Sequence, residues 1–204
     1  SVRIDIPLGF EHRWYRKVLA LPIIIRPPME QKMSHAIEDR LKSLSIALPE
    51  AAAPAANYVP YLISGKLLYI SGQLPTEGGK MIATGHLGAT VSLEDGQKAA
   101  RACAINIIAQ AKAALGGDLG RVARIVRING FVASTPDFTE QHLVINGASN
   151  LLAEVFGEAG KHSRAAVGMA ALPLGAGRWP ALDWAPPQRG AFEKAFSRKM
   201  AVAS

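Results

Sequence analysis

The stretch SLEDGQKAARACAINIIAQAKAALGGDLGRVARIVRINGFVAS, residues 92–134, decides the fold class. It opens with Ser92-Leu93-Glu94-Asp95, which has the form of a capping box. A serine hydroxyl there can accept from the first unpaired backbone N–H groups of a helix, and the acids sit at the positive end of its dipole. Ala99, Ala102, Cys103, Ile105, Ile108 and Ala109 continue that helix, and Gly116-Gly117 supply its stop. Val122, Ile125, Val126, Ile128, Phe131 and Val132 then form a β-branched and aromatic run of strand composition, closed by Ser134-Thr135-Pro136.

Downstream, Thr135 with Pro136 predicts the start of another helix, carrying Phe138, Leu143, Ile145, Leu151, Leu152, Val155 and Phe156 as far as Gly157. Ala165 to Leu172 reads as a strand of small residues ending at Pro173. Upstream, the apolar runs Tyr58 to Ile63 and Leu67 to Ser71 flank Ser64-Gly65-Lys66, a hairpin signal, and a short third strand is predicted around Met81. From Ser34, the residues Ile37, Leu41, Leu44 and Ile46 fall near helical spacing with charges between them, and Pro49 and Pro54 bound an Ala-rich linker. The order is short helix, strands, helix, strand, helix, strand. It predicts an α+β sheet with two main helices on one face. The strands are apolar at adjacent positions, so both sheet faces call for cover, and no further element remains to supply a second layer. Self-association is the expected answer.

Composition narrows the function classes. No apolar run approaches the roughly 20 residues of a spanning helix, since Val18 to Ile25 is short and carries Pro22. A single cysteine, Cys103, leaves no internal disulfide framework, and a reducing, cytoplasmic setting is the expectation. The net charge of +7 invites a nucleic-acid reading, yet residues 1–32 hold six basic groups against three acids and residues 178–204 five against two. Residues 33–177 carry only +1, so nucleic acid is not the expected partner. Residues 1–32, with Pro22, Pro27 and Pro28 and no sustained period, read as a poorly ordered leader or extension, Met29 and Met33 being candidate internal starts. The expected division is thus 1–32 leader, 33–177 folded domain, 178–204 tail.

Familiar catalytic constellations are missing. The five histidines (12, 35, 86, 142 and 162) include no pair at metal-binding helical spacing, so no metal is expected. No G-x-S-x-G elbow, P-loop or dinucleotide glycine fingerprint occurs. Cys103, among alanines, reads as a small buried hydrophobe. Arg164, at the start of the last strand beside His162 and Ser163, offers a planar charged fork suited to a carboxylate, or else marks a solvated strand end. Asn146 and Asn150, one helical turn apart, face either a cleft or water, and Tyr58 reads first as a strand-packing aromatic.

The stretches Leu67 to Pro75, Ala102 to Asn106, Gln141 to Ser149, and His162-Ser163-Arg164-Ala165-Ala166-Val167-Gly168 with Leu172-Pro173 together resemble the RidA (YjgF) family, also known as endoribonuclease L-PSP. The resemblance runs from about Asn57 to Pro173. It implies a chorismate-mutase-like fold, a homotrimer with a central barrel, and ligand clefts between subunits. It further implies hydrolysis of reactive enamines and imines, such as 2-aminoacrylate, to 2-oxo acids and ammonia, with no cofactor. By position, Arg164 is similar to the family's carboxylate-binding arginine, Tyr58 to its cleft tyrosine and Asn146 to its helix asparagine. Ala166 stands where many members carry cysteine. After Pro173, relatives run into a strand alternating valine or isoleucine with glutamate; residues 175–187 here hold no glutamate, and Pro180, Pro186 and Pro187 oppose a central strand. Two alternatives follow from that departure and from some relatives: a non-catalytic trimer binding small carboxylated metabolites, and an endoribonuclease or translation inhibitor.

Overall fold

In chain order, the residues described by the computed structural model (23–25, 32–54 and 56–172) form β1 (Ile23–Ile25), α1 (Lys32–Ser43), β2 (Tyr61–Ser64), β3 (Leu67–Ile70), β4 (Thr76–Glu77) and β5 (Lys80–Met81). There follow α2 (Leu93–Ala114), a 3-10 turn at Leu119–Arg121, β6 (Val122–Ile125), β7 (Arg127–Ala133), α3 (Gln141–Val144), α4 (Asn146–Phe156), a second 3-10 turn at Gly157–Gly160, and β8 (Ser163–Met169). This is the mixed α+β architecture the sequence predicts.

Ser92 caps α2 as expected, its Oγ accepting from the Asp95 N–H at 3.1 Å. The apolar side of α2 faces the sheet: Ala100, Ala104, Ile107, Ile108 and Ala111 are buried with Leu68 and Ile70 of β3 and with Leu151, Leu152 and Val155 of α4. Small residues on α2 let the two helices and the sheet approach one another closely. α1 packs on the end of this layer through Leu41, and Arg40 Nη1 donates to the Val155 carbonyl at 3.2 Å.

Strands β2, β3, β1 and β6 hydrogen-bond in that order, while β7 and β8 pair in parallel along seven positions, from Arg127 with Ser163 to Ala133 with Met169. A parallel pair needs a long crossover, and α3 and α4 provide it. On the strand faces away from α2 and α4, Leu62 of β2 and Val167 and Met169 of β8 are exposed.

Three local expectations are revised. The leader boundary fails at Ile23–Ile25, which lie between β3 and β6, with Ile23 opposite Leu68 on one side and Ile125 on the other. Ile23 and Ile25 are 2% and 8% exposed and Ile24 is 37% exposed, the alternation of a half-buried strand, too brief to register as a period in the sequence. The rest of 1–31, and the tail 178–204, lie outside the described residues. The helix expected from Thr135 instead starts at Gln141: Thr135 is used in a turn, its carbonyl accepting from the Phe138 N–H at 3.2 Å, and Gln141 Nε2 bonds the Phe138 carbonyl. The last strand spans Ser163–Met169 rather than 165–172, because Ser163 already pairs with Arg127.

Candidate functional site

The parallel register of β8 on β7 sets Arg164 opposite Ile128, at the end of the strand nearest the crossover helices. From there the exposed side chain reaches across to them: Nη1 donates to Ser149 Oγ of α4 at 3.1 Å, and Nη2 donates to the His142 carbonyl of α3 at 2.9 Å. Two of five guanidinium N–H groups are thereby used, which fixes the plane of the fork and leaves the others for an anion.

His162, two residues earlier, is held at both ring nitrogens. Nδ1 lies 2.6 Å from the Gly160 carbonyl oxygen, and Nε2 lies 3.0 Å from Ser149 Oγ. A carbonyl only accepts, so Nδ1 carries the proton; in the neutral ring Nε2 must then accept from the Ser149 hydroxyl. A Cβ on residue 160 would sit 2.1 Å from the Leu152 carbonyl oxygen, so glycine is what lets this turn seat against α4 and aim its own carbonyl at the ring. Burial lowers the His162 pKa from the usual 6.5, the nearby Arg164 charge lowers it further, and the Gly160 bond opposes both. At neutral pH the ring is therefore uncharged and able to take up a proton.

The structure brings some of the expected site residues together and not others. Asn146 begins α4 and is half-buried, one turn before Ser149, so it shares that side of the helix. Asn150 is exposed. Tyr58 lies apart, lining with Pro60, Gly72, Gln73 and Gln110 a pocket of about 110 Å³ whose walls do not include Arg164. Ser149 carried no signal of its own in the sequence beyond its place in the helix. A larger pocket of about 540 Å³ opens beside α2, where the basic groups of its wall are paired, Lys98 with Glu94 and Asp95 and Arg101 with Glu154, and Glu77 adds a further acid. Chemistry is better served at Arg164, where donors remain. Cys103 is fully buried and donates to the Gln73 carbonyl at 3.3 Å; burial pushes its thiol pKa well up. Among the described residues no cluster of three or more His, Cys, Asp or Glu could hold a metal ion, and no helix is long and apolar enough to cross a membrane.

Comparison with known proteins bears on the whole domain. Residues 38–178 match the family described as "YjgF/chorismate mutase-like, putative endoribonuclease". Protein TCP17 of Trypanosoma cruzi is 56% identical over 137 residues, 67% of this chain and 85% of that protein. The crystal structure of Atu1372 from Agrobacterium tumefaciens shares 57% identity with a TM-score of 0.67, covering 75% of this chain and 96% of that one. A structure titled as a "putative endoribonuclease" from Shewanella oneidensis MR-1 shares 38% identity, also at a TM-score of 0.67, covering 72% and 99%.

Proposed function

Because this chain belongs to the YjgF/chorismate-mutase-like family, we propose that it hydrolyses reactive enamines and imines derived from 2-amino acids, such as 2-aminoacrylate, to 2-oxo acids and ammonia. The observation that carries the reading is Arg164: an exposed guanidinium, steadied by Ser149 and the His142 carbonyl, with donors left over for a carboxylate. Holding that carboxylate fixes the adjacent α-carbon while the enamine tautomerises and water adds to the C=N bond. The uncatalysed reaction is already easy, so positioning with modest acid–base help suffices.

The exposed Leu62, Val167 and Met169 support a trimer of this chain, in which three such sheet faces cover one another around a central barrel and the ligand cleft lies between neighbours. In that arrangement Tyr58 would line a cleft completed by another copy, with Asn146 beside Arg164. A cytoplasmic location accords with a lone, buried thiol.

The test generates 2-aminoacrylate with a dehydratase and follows pyruvate. Wild type should accelerate its appearance and Arg164→Ala should abolish the acceleration; equal rates for the two proteins would refute the assignment. A second reading, a non-catalytic binder of small carboxylated metabolites, is favoured by one observation: the hydrogen-bonded cluster around Arg164 contains no carboxylate among the described residues. Calorimetric binding of 2-oxobutyrate together with a flat deaminase assay would select it. The endoribonuclease named for relatives draws little support from a domain of net charge +1 over residues 33–177.

A further inference from the structure

We infer that Ser149 and His162 are the proton-transfer pair of this site, the imidazole acting on the bound substrate through the serine hydroxyl. This rests on the enamine/imine reading and adds to it the groups that move protons. Three contacts carry the inference: Arg164 Nη1 to Ser149 Oγ at 3.1 Å, Ser149 Oγ to His162 Nε2 at 3.0 Å, and His162 Nδ1 to the Gly160 carbonyl at 2.6 Å. Together they form a chain with one direction. Gly160 fixes the tautomer, so Nε2 presents a lone pair, and Ser149 delivers its proton there while its own oxygen faces the guanidinium. A nucleophile or relay hydroxyl, a base and a group orienting the base are the parts that general base catalysis requires.

Proximity follows from sharing Arg164. A carboxylate on the remaining guanidinium donors has its α-carbon one bond away, so the reacting carbon and nitrogen lie beside the hydroxyl that the same guanidinium holds. Water adding to the iminium carbon forms the C–O bond as the π pair moves to nitrogen. One water proton passes to Ser149 Oγ while the Ser149 proton passes to Nε2, leaving a neutral carbinolamine and an imidazolium. The imidazolium returns its proton by the same route to the amino nitrogen. The C–N bond then breaks with its electron pair leaving on ammonia, and the carbinolamine oxygen forms the carbonyl, its proton going to ammonia. Iminium and water become 2-oxo acid and ammonium, and the pair is restored.

Charge makes the ring more basic when substrate is present. Arg164 is the charged group that acts on His162 directly. The others nearby are neutralised or tied: Lys161 to Glu158, Glu154 of α4 to Arg101 of α2, and Arg127 of β7 to Asn129, while His142 of α3 offers its carbonyl to Arg164. An anionic substrate on Arg164 offsets the one repulsion that disfavours the imidazolium, so base strength rises on binding.

The experiment measures kcat and KM against pH for wild type, Arg164→Ala, His162→Gln, Ser149→Ala and Ser149→Thr, each first checked for a native circular dichroism spectrum and melting transition. His162→Gln keeps an acceptor for Ser149 but takes up no proton, and Ser149→Thr keeps the hydroxyl. Wild-type kcat/KM should rise through a midpoint below the usual histidine value, with the kcat midpoint displaced upward. His162→Gln and Ser149→Ala should lose about 100-fold in kcat with little change in KM, and His162→Gln should lose the rising limb, while Ser149→Thr restores most of the rate. Retention of the wild-type kcat and limb by His162→Gln, with Arg164→Ala inactive, would overturn the pair and leave the deaminase reading standing. A rise in KM alone would also overturn it, reducing the pair to a brace for Arg164. No acceleration by wild type would remove both.

Discussion

Replacing Ile23 by alanine should unfold the domain far more readily than replacing Ile24, its immediate neighbour. Ile23 is 2% exposed and lies between Leu68 and Ile125, whereas Ile24 is 37% exposed on the outer side of the same strand. Truncating a buried isoleucine removes three carbons from a packed site and costs about 2–5 kcal/mol, the exposed one well under that. With a urea dependence of about 2 kcal/mol per molar, Ile23→Ala should lower the midpoint by about 1–2.5 M. Ile25→Ala, at 8% exposed, should act in the same direction. The double variant Ile23→Ala/Ile25→Ala should lose less than the sum of the two. A strand of three residues can undock as a unit, and once it has left the sheet nothing remains to lose. Urea titrations followed by circular dichroism measure all four. Coincident midpoints for Ile23→Ala and Ile24→Ala would refute the placement of β1 and return the segment to the leader read from the sequence.

Gly147→Ala should prevent folding or cost more than about 2 kcal/mol, because its Cβ would lie 2.0 Å from the Gln97 carbonyl oxygen of α2, and backbone cannot yield as a side chain can; a melting temperature equal to wild type would contradict the close approach of α2 and α4. Cys103 should be silent to Ellman's reagent at pH 8 in the native protein and react with one equivalent in guanidinium, since burial holds the thiol protonated and out of reach; stoichiometric labelling without denaturant would show that the site opens.

What the sequence revealed and what it withheld divide along the range of the forces involved. α2 was legible because its signals are local: the Ser92 hydroxyl bonds a backbone N–H three residues on, and Gly116-Gly117 end the helix within one turn. The β2–β3 hairpin was legible for the same reason, Ser64 and Leu67 pairing across two turn residues. β1 was not, because three isoleucines among prolines have no period long enough to read, and what makes them a strand is pairing with residues far along the chain. The start of α3 was misplaced because Thr135-Pro136 is equally good turn chemistry, and the Gln141 side chain, whose bond to the Phe138 carbonyl cannot be read from spacing, marks where the helix begins. At the candidate site, residue type left Arg164 open between a carboxylate fork and a solvated strand end, and the family resemblance singled it out by position. Ser149 was invisible because one serine in a helix means little until another segment, 13 residues on, brings an imidazole to it.

The place of β1 also bears on how the molecule is made. Ile23–Ile25 are synthesised about a hundred residues before their partner Val122–Ile125, an interval of roughly 5–20 s at ordinary translation rates. Through much of that interval β3 is the one neighbour available to the isoleucine triplet, and its β6 side stays open. A strand made before the rest of its sheet is thus completed on its second edge among the last, so nascent chains stalled before residue 125 should be the form most in need of a chaperone.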